Sequence, residues 1–328
     1  MRWTKLIAAG ILSASLFSAN VFAAPAWNPE KSGLKFDNAA KQNYMAKKMD
    51  IFFNPSPSAK VKDFEAPDGW EYKTFDLNGM QIERLKNPKS ENSKRVVLQL
   101  HGGAYIGGLT NLYREFGVKQ AVVTGARELY MINYRLAPQN TFPAALDDAV
   151  AAYKYVLKKH GAKNIIVIGD SAGGNLALAL SVYLKENNIQ QPALMVLDSP
   201  WTTLETDLPS RENNSERDVV LGKNNPRLYP EVLNPTYGGN LPLNDYRLSP
   251  LYADLTGFPP ILIQTGGYET LLDDSVKFME KAITDGVDVT LTVYAGMPHD
   301  FALVMPELQD SINLFKEIGS FVNRHMRN

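Results

Sequence analysis

The sequence predicts an α/β fold, a mostly parallel central sheet with helices on both faces, and three observations predict it. First, short apolar runs that read as buried strands recur: Arg95–Leu100 (RVVLQL), Glu128–Asn133 (ELYMIN), Asn164–Ile168 (NIIVI), Ala193–Leu197 (ALMVL), Pro259–Gln264 (PPILIQ) and Val289–Tyr294 (VTLTVY). Second, helical patterns lie between most of them, as in Phe142–Gly161 (FPAALDDAVAAYKYVLKKHG), with Pro143 near its start and Gly161 after its end. Third, 328 residues at 45% hydrophobic content can bury one large core. Strands that alternate with helices make a parallel sheet whose ligands sit beyond the carboxyl ends of the strands.

In chain order, the N-terminus departs from this pattern. Arg2 and Lys5 precede an apolar stretch from Leu6 to Phe17, and Val21 and Ala23 supply small residues before a cut. Residues 1–23 are expected to be a secretory signal peptide, leaving 24–328 as a single domain that begins at Ala24. The stretch is too short to span a bilayer, so stable membrane insertion is not expected. The expected location is outside the cytoplasm, in a periplasm or the medium. The chain has no cysteine. That excludes disulfides, thiolate metal sites, a cysteine nucleophile and a lipid-modified cysteine.

Phe36, Ala40 and Tyr44 then recur at helical spacing behind Asp37, a suitable N-cap. Trp70–Leu85 reads as two strands around Asn78-Gly79, a hairpin turn. One connection breaks the later alternation. Trp201 to Phe258 is long, irregular and rich in Pro, Asn, Gly and charges, while Trp201, Leu221, Tyr229, Tyr237 and Tyr246 argue for something packed. Together with the early helix it predicts a cap over the strand ends, from about 30–65 and 201–250. Net charge is −1 with no basic stripe, which argues against a nucleic-acid partner.

The chemistry centres on Gly169–Gly173, a Gly-x-Ser-x-Gly match that follows a buried strand and opens a helix. That arrangement lifts the Ser171 oxygen out of the sheet, and the helix N-terminus adds partial positive charge and a free N–H at Ala172. Neither Gly-x-Gly-x-x-Gly nor a Gly-Lys-Ser/Thr ending is present, which argues against a phosphate loop. A serine hydroxyl needs a base. Of four histidines, His160 ends a helix beside Lys158 and Lys159, His325 lies in a charged terminal helix, and His101 directly follows a strand. Only His299, in YAGMPHDF, follows a strand after the serine and sits in a loop with small neighbours. The loop HGGAY offers backbone N–H groups flanked by Gly102 and Gly103 that can approach a developing oxyanion.

Five segments, HGGAY, INYRLAPQNTFPAALDDAVAAYKYV, GDSAGGNLALAL, SPLYADLTGFPPILIQTGGYETLLDDS and GMPHDF, together resemble the hormone-sensitive-lipase-like, acetyl-esterase-type branch of the α/β-hydrolase esterases. The resemblance runs from about Val96 to Phe301 and is looser over Asn28–Lys94. It implies the α/β-hydrolase fold, Ser171 as nucleophile, His299 as base, and the N–H groups of Gly102, Gly103 and Ala172 as the oxyanion hole. It also implies a cap and no metal or organic cofactor. Ala104 stands where many relatives have a third glycine, and Tyr268-Glu269 where an Asp is common. Glu269 comes just past the strand PPILIQ, where an acid must stand to face the histidine loop. Asp273 and Asp274 come later, ahead of the helical pattern SVKFMEKAI, where Asp serves as N-cap and dipole charge. The expected triad is Ser171, Glu269 and His299.

The expected activity is hydrolysis of short-chain acyl esters, a small-molecule substrate, by a carboxylesterase working through an acyl-enzyme. A lipase or amide hydrolase of the same fold and a non-catalytic ligand-binding homologue are the alternatives. The polar stretch Glu205–Asp218 favours small soluble esters over an oil interface.

Overall fold

The computed structural model describes residues 32–54 and 63–326; the expected signal segment and the Ala24 junction lie outside the described residues. The first helix, α1 (Asn38–Phe53), is capped by Asp37, whose carboxylate accepts the Ala40 N–H at 2.8 Å. Asn78 and Gly79, at φ +56° and +86°, turn β1 (Glu71–Leu77) back onto β2 (Met80–Lys86). Positive φ at both central residues is what a two-residue hairpin of type I′ demands.

Six further strands follow: β3 (Val96–Leu100), β4 (Glu128–Ile132), β5 (Ile165–Asp170), β6 (Leu194–Asp198), β7 (Ile261–Gly266) and β8 (Val289–Tyr294). The remaining helices are α2 (Asn111–Val123), α3 (Ala144–His160), α4 (Ser171–Glu186), α5 (Pro209–Asn213), α6 (Tyr229–Leu233), α7 (Leu272–Thr284), α8 (Phe301–Val304) and α9 (Gln309–His325). All eight strands form one sheet in the order β1-β2-β4-β3-β5-β6-β7-β8. Only β1/β2 and β2/β4 are antiparallel.

Every residue of β3 to β7 is buried, because helices cover both faces. Side chains alternate between two cores. Val96, Leu98 and Leu100 pack toward α3, α4 and α7, whereas Val97 packs toward α2 and α9. Each such side chain contributes about 1.5–3 kcal/mol when fully buried. This rigid slab presents the ends of β3, β5, β6, β7 and β8 along one edge.

Within the long connection, α5 and α6 are single-turn helices, and most of the path between Trp201 and Phe258 is irregular. Trp201, Leu221 and Tyr237 are buried and Tyr229 is half-buried, so apolar anchors hold it in place. Tyr246 differs: it is exposed, with its hydroxyl donating to Glu186 at 2.8 Å. Tyr237 stacks on Tyr105 at 3.6 Å between ring centres. Asn175, on the second turn of α4, fastens both ends of the connection. Its amide N–H groups donate to Trp201 O at 2.7 Å and Leu248 O at 2.9 Å, while its oxygen accepts the Tyr105 hydroxyl at 2.6 Å.

Candidate active site

The backbone passes from β5 to α4 through Ser171, held at φ +50°. A side-chain-bearing residue in this region is strained by about 1–2 kcal/mol, and tight packing around the turn holds it there. A Cβ on Gly173 would stand 1.9 Å from Leu100 O, and one on Gly169 would stand 2.2 Å from Gly173 O. Only glycine lets the first turn of α4 close onto β5 and the end of β3.

Across the strand ends, His299 follows β8 and Glu269 follows β7. The Glu269 carboxylate is wholly buried and lies 3.2 Å from His299 Nδ1 through Oε2. Its other oxygen, Oε1, accepts the Ser199 hydroxyl at 2.6 Å and the Gly266 N–H. Burial pushes the Glu269 carboxyl up, while the hydrogen bonds from His299, Ser199 and Gly266 act the other way. Asp273 and Asp274 point elsewhere. Asp273 accepts the Ser210 N–H at 2.8 Å, and Asp274 holds the buried Arg211 guanidinium at 2.5 Å. The N-cap of α7 is Leu271, which corrects the expectation that an Asp caps this helix; both Asp residues lie in its first turn, where their charge suits the dipole.

The HGGAY loop requires one correction. The Gly102 N–H is donated to Asp170 Oδ2 at 3.1 Å, so it is engaged in tying the loop to the residue before Ser171. That crossing is a tertiary contact that the spacing of glycines does not reveal. Gly103 and Ala104 instead line the cleft beside Ser171, with φ +105° and +53°. His101 is buried and stacked on Tyr134 at 4.1 Å, and burial lowers its pKa to about 4. It is a neutral wedge beneath the loop.

Three residues with a bearing on the site escaped the sequence pattern. Ser199, which immediately follows β6 at φ +48°, orients Glu269. Asp218, on the long connection, accepts the N–H groups of Val220, Leu221, Thr270 and His299 at 3.0, 3.1, 2.9 and 3.4 Å. Asp300 places Oδ2 at 3.0 Å from His299 Nε2. Burial would lower the His299 pKa, but the flanking Asp300 and Glu269 carboxylates outweigh it and raise the pKa well above the usual imidazole value. Adjacency to His299 was the sole sequence signal for Asp300; Asp218 and Ser199 had none.

The cleft above Ser171 is walled by Phe52 and Phe53 at the end of α1 and by Val220, Leu221 and Leu228 of the long connection. Leu303 and Val304 of α8 close a further side. The walls are therefore largely apolar, and the polar side chains that line the cleft are Ser171, His299, Asp300 and Tyr113. Among the described residues, no group of three or more His, Asp or Glu is arranged to hold a metal ion, and no helix is long and apolar enough to cross a membrane.

A family profile described as alpha/beta hydrolase fold matches residues 97–303. The chain is 32% identical over 246 residues to an esterase of Acinetobacter venetianus, covering 75% of this chain and 79% of the relative. It is 33% identical over 229 residues to an acetyl-hydrolase of Streptomyces hygroscopicus, covering 70% and 75%. Among solved structures, an esterase from the bacterial hormone-sensitive lipase family superposes with a TM-score of 0.77 at 30% identity, over 89% of this chain and 99% of that one.

Proposed function

The chain belongs to the α/β-hydrolase family, on its hormone-sensitive-lipase-like branch, and from that premise we propose that it hydrolyses short-chain carboxylic esters through an acyl-serine intermediate. One observation carries the reading: Glu269 Oε2 lies 3.2 Å from His299 Nδ1 in the cleft that holds Ser171. His299, as base, takes the hydroxyl proton while Ser171 Oγ attacks the ester carbonyl. Glu269 accepts the Nδ1–H, which leaves the Nε2 lone pair for that proton and stabilises the imidazolium that forms. The carbonyl oxygen becomes negative and meets the N–H groups of Gly103, Ala104 and Ala172, donors that need no reorganisation. The imidazolium then protonates the departing alcohol. Water, deprotonated by the same nitrogen, releases the acid and restores Ser171.

The cleft walled by Phe52, Phe53 and Leu228, together with the polar stretch Glu205–Asp218 of the long connection, supports acetate to butyrate as the preferred acyl groups. The test is turnover of a p-nitrophenyl ester series together with active-site titration by a phosphonate. Wild-type protein should favour short chains and gain one phosphonyl group on Ser171, and Ser171→Ala should fall to near background while still folded. Undiminished turnover in Ser171→Ala would overturn the reading. The same proposal extends to export. Arg2 and Lys5 ahead of Leu6–Phe17, with Val21 and Ala23 before a cut, support a mature chain starting at Ala24 outside the cytoplasm. Mass spectrometry of the native protein's N-terminus checks this, and a retained Met1 would contradict it.

A further inference from the structure

His299 is held from both sides. Glu269 Oε2 stands 3.2 Å from Nδ1 and Asp300 Oδ2 stands 3.0 Å from Nε2. A neutral imidazole carries one N–H and one lone pair, so it can satisfy only one of two flanking carboxylates. Facing both, the ring is satisfied only as imidazolium with an N–H on each side. In that state Nε2 has no lone pair and cannot take the Ser171 proton. The contact is also buried, with His299 and Asp300 exposed by only 2% and 9%, so water screens it poorly.

We infer that Asp300 is a positioning residue of the ester-hydrolysis reaction, whose carboxylate withholds His299 Nε2 from Ser171 in the resting enzyme and must swing aside to release the base. This rests on the reading of Ser171 and His299 given above. Loss of the Nε2 proton to solvent leaves a lone pair facing a carboxylate oxygen, which repels it, so deprotonation and departure of Asp300 are one event.

The surroundings favour a displaceable contact over a permanent one. The other Asp300 oxygen, Oδ1, is buried without a hydrogen-bond partner. Asp170 at the end of β5 and Asp198 at the end of β6 stand close enough to interact electrostatically with Asp300, as does the Tyr113 hydroxyl on α2. The orphaned oxygen opposes keeping Asp300 where it is once the imidazolium charge is gone, and the acidic groups around it supply no cation in its place. Asp300 also lines the cleft beside Ser171, Leu303 and Val304, so its path leads into space that substrate shares. Of the remaining titratable groups that meet His299, Glu269 faces Nδ1, Asp170 interacts with it electrostatically from the end of β5, and Asp218, from the long connection, accepts only its backbone N–H at 3.4 Å. None of them is bonded to Nε2.

Asp300 sits at φ +48°, a left-handed conformation that Asn and Gly both adopt readily, so Asp300→Asn and Asp300→Gly keep the backbone. The experiment is the pH profile of kcat/KM for p-nitrophenyl acetate in wild type and both variants, with a nitrogen-15 NMR titration of His299 in the wild type. The wild-type acid limb should lie above the ordinary imidazole value of about 6.5. Both variants should move it down by about one to three pH units, the effect of removing one adjacent opposite charge. At pH values below both limbs the variants should be about tenfold faster for every pH unit by which their limb moves. NMR should find two ring N–H protons on wild-type His299 at a pH of about 6, below that ordinary value. An unmoved limb, a uniform loss at every pH, or a wild-type His299 that titrates at or below the ordinary value would each overturn the inference. Those results leave the Ser171 reading standing, because only persistence of activity in Ser171→Ala removes that.

Discussion

Asp218 Oδ2 accepts the backbone N–H of Thr270 at 2.9 Å, so the connection that walls the cleft is bonded to the residue next to Glu269. The same carboxylate holds Val220, Leu221 and His299 through their N–H groups. The cleft wall and the placement of Glu269 and His299 thus share an anchor. Asp218→Ala leaves several buried donors unpaired, each worth about 1–3 kcal/mol. The expected result is a clear drop in melting temperature and a fall in kcat of at least about tenfold, since small displacements of a positioned base are expensive. Asp218→Asn should lie between. Steady-state kinetics alongside thermal melts checks both, and an Asp218→Ala enzyme with wild-type kcat would disprove the coupling.

Glu269→Gln should reduce turnover by roughly two to four orders of magnitude, as loss of the orienting acid does in serine hydrolases. Its melting temperature should change little because the amide oxygen still accepts from Ser199. Asp273→Asn and Asp274→Asn should keep turnover and lose stability. The reversed pattern, measured by kinetics and melting on the same preparations, would show that the acid is elsewhere.

Arg211 and Asp274 form a pair exposed by 3% and 0%. Removing one partner leaves the other charge buried alone, so Asp274→Ala should cost about 3–5 kcal/mol in urea unfolding. Replacing both with apolar residues of similar volume should cost far less. Equal losses in the single and double variants would argue that packing, and not charge, dominates there.

His101 gives a stability effect with a defined sign. Its native pKa is lowered to about 4, below the ordinary imidazole value of about 6.5. The unfolded chain therefore binds the proton first, and stability falls as pH drops from about 6.5 toward 4, by about 1.4 kcal/mol per pH unit from this group. Above that window the contribution is constant. His101→Asn should weaken this part of the pH slope, read as the wild-type minus variant difference in unfolding free energy. An unchanged difference across the window would reject it.

Leu228 and Phe53 stand on the cleft wall. Truncation of Leu228 to Ala should move the preferred acyl chain toward longer esters by adding apolar room, with kcat/KM for acetate reduced. A chain-length series that keeps its wild-type optimum would place the acyl group on another wall.

Strand and helix positions were legible because burial on both faces writes continuous apolar runs, and because Pro143, Gly161, Asp37 and Asn78-Gly79 mark ends and turns by local chemistry. That Ser171, His299 and Glu269 lie along one edge of the sheet was legible for a related reason: each follows a strand, and in a parallel sheet strand ends converge. The engagement of Gly102 by Asp170 and the bonds of Asp218 and Ser199 were not legible. They join segments far apart in sequence through single carboxylate or hydroxyl groups, and no periodicity records such a contact. Asp273 and Asp274 read as caps in the sequence because a first-turn Asp and an N-cap Asp look alike without backbone angles.

Asn175 grips the chain where the long connection leaves the slab at Trp201 and again near its return at Leu248. Entry and exit are therefore fixed by one amide, and the intervening loop's closure entropy depends only weakly on its length. A connection of different length could be transplanted between the same two anchors with little penalty to the slab. It would have to carry its own carboxylate at the place of Asp218 and its own cation at the place of Arg211, however, so the part that looks exchangeable comes with compulsory residues. Libraries that diversify the cleft wall should hold Asn175, Arg211 and Asp218 constant and vary the rest of what lies between the anchors.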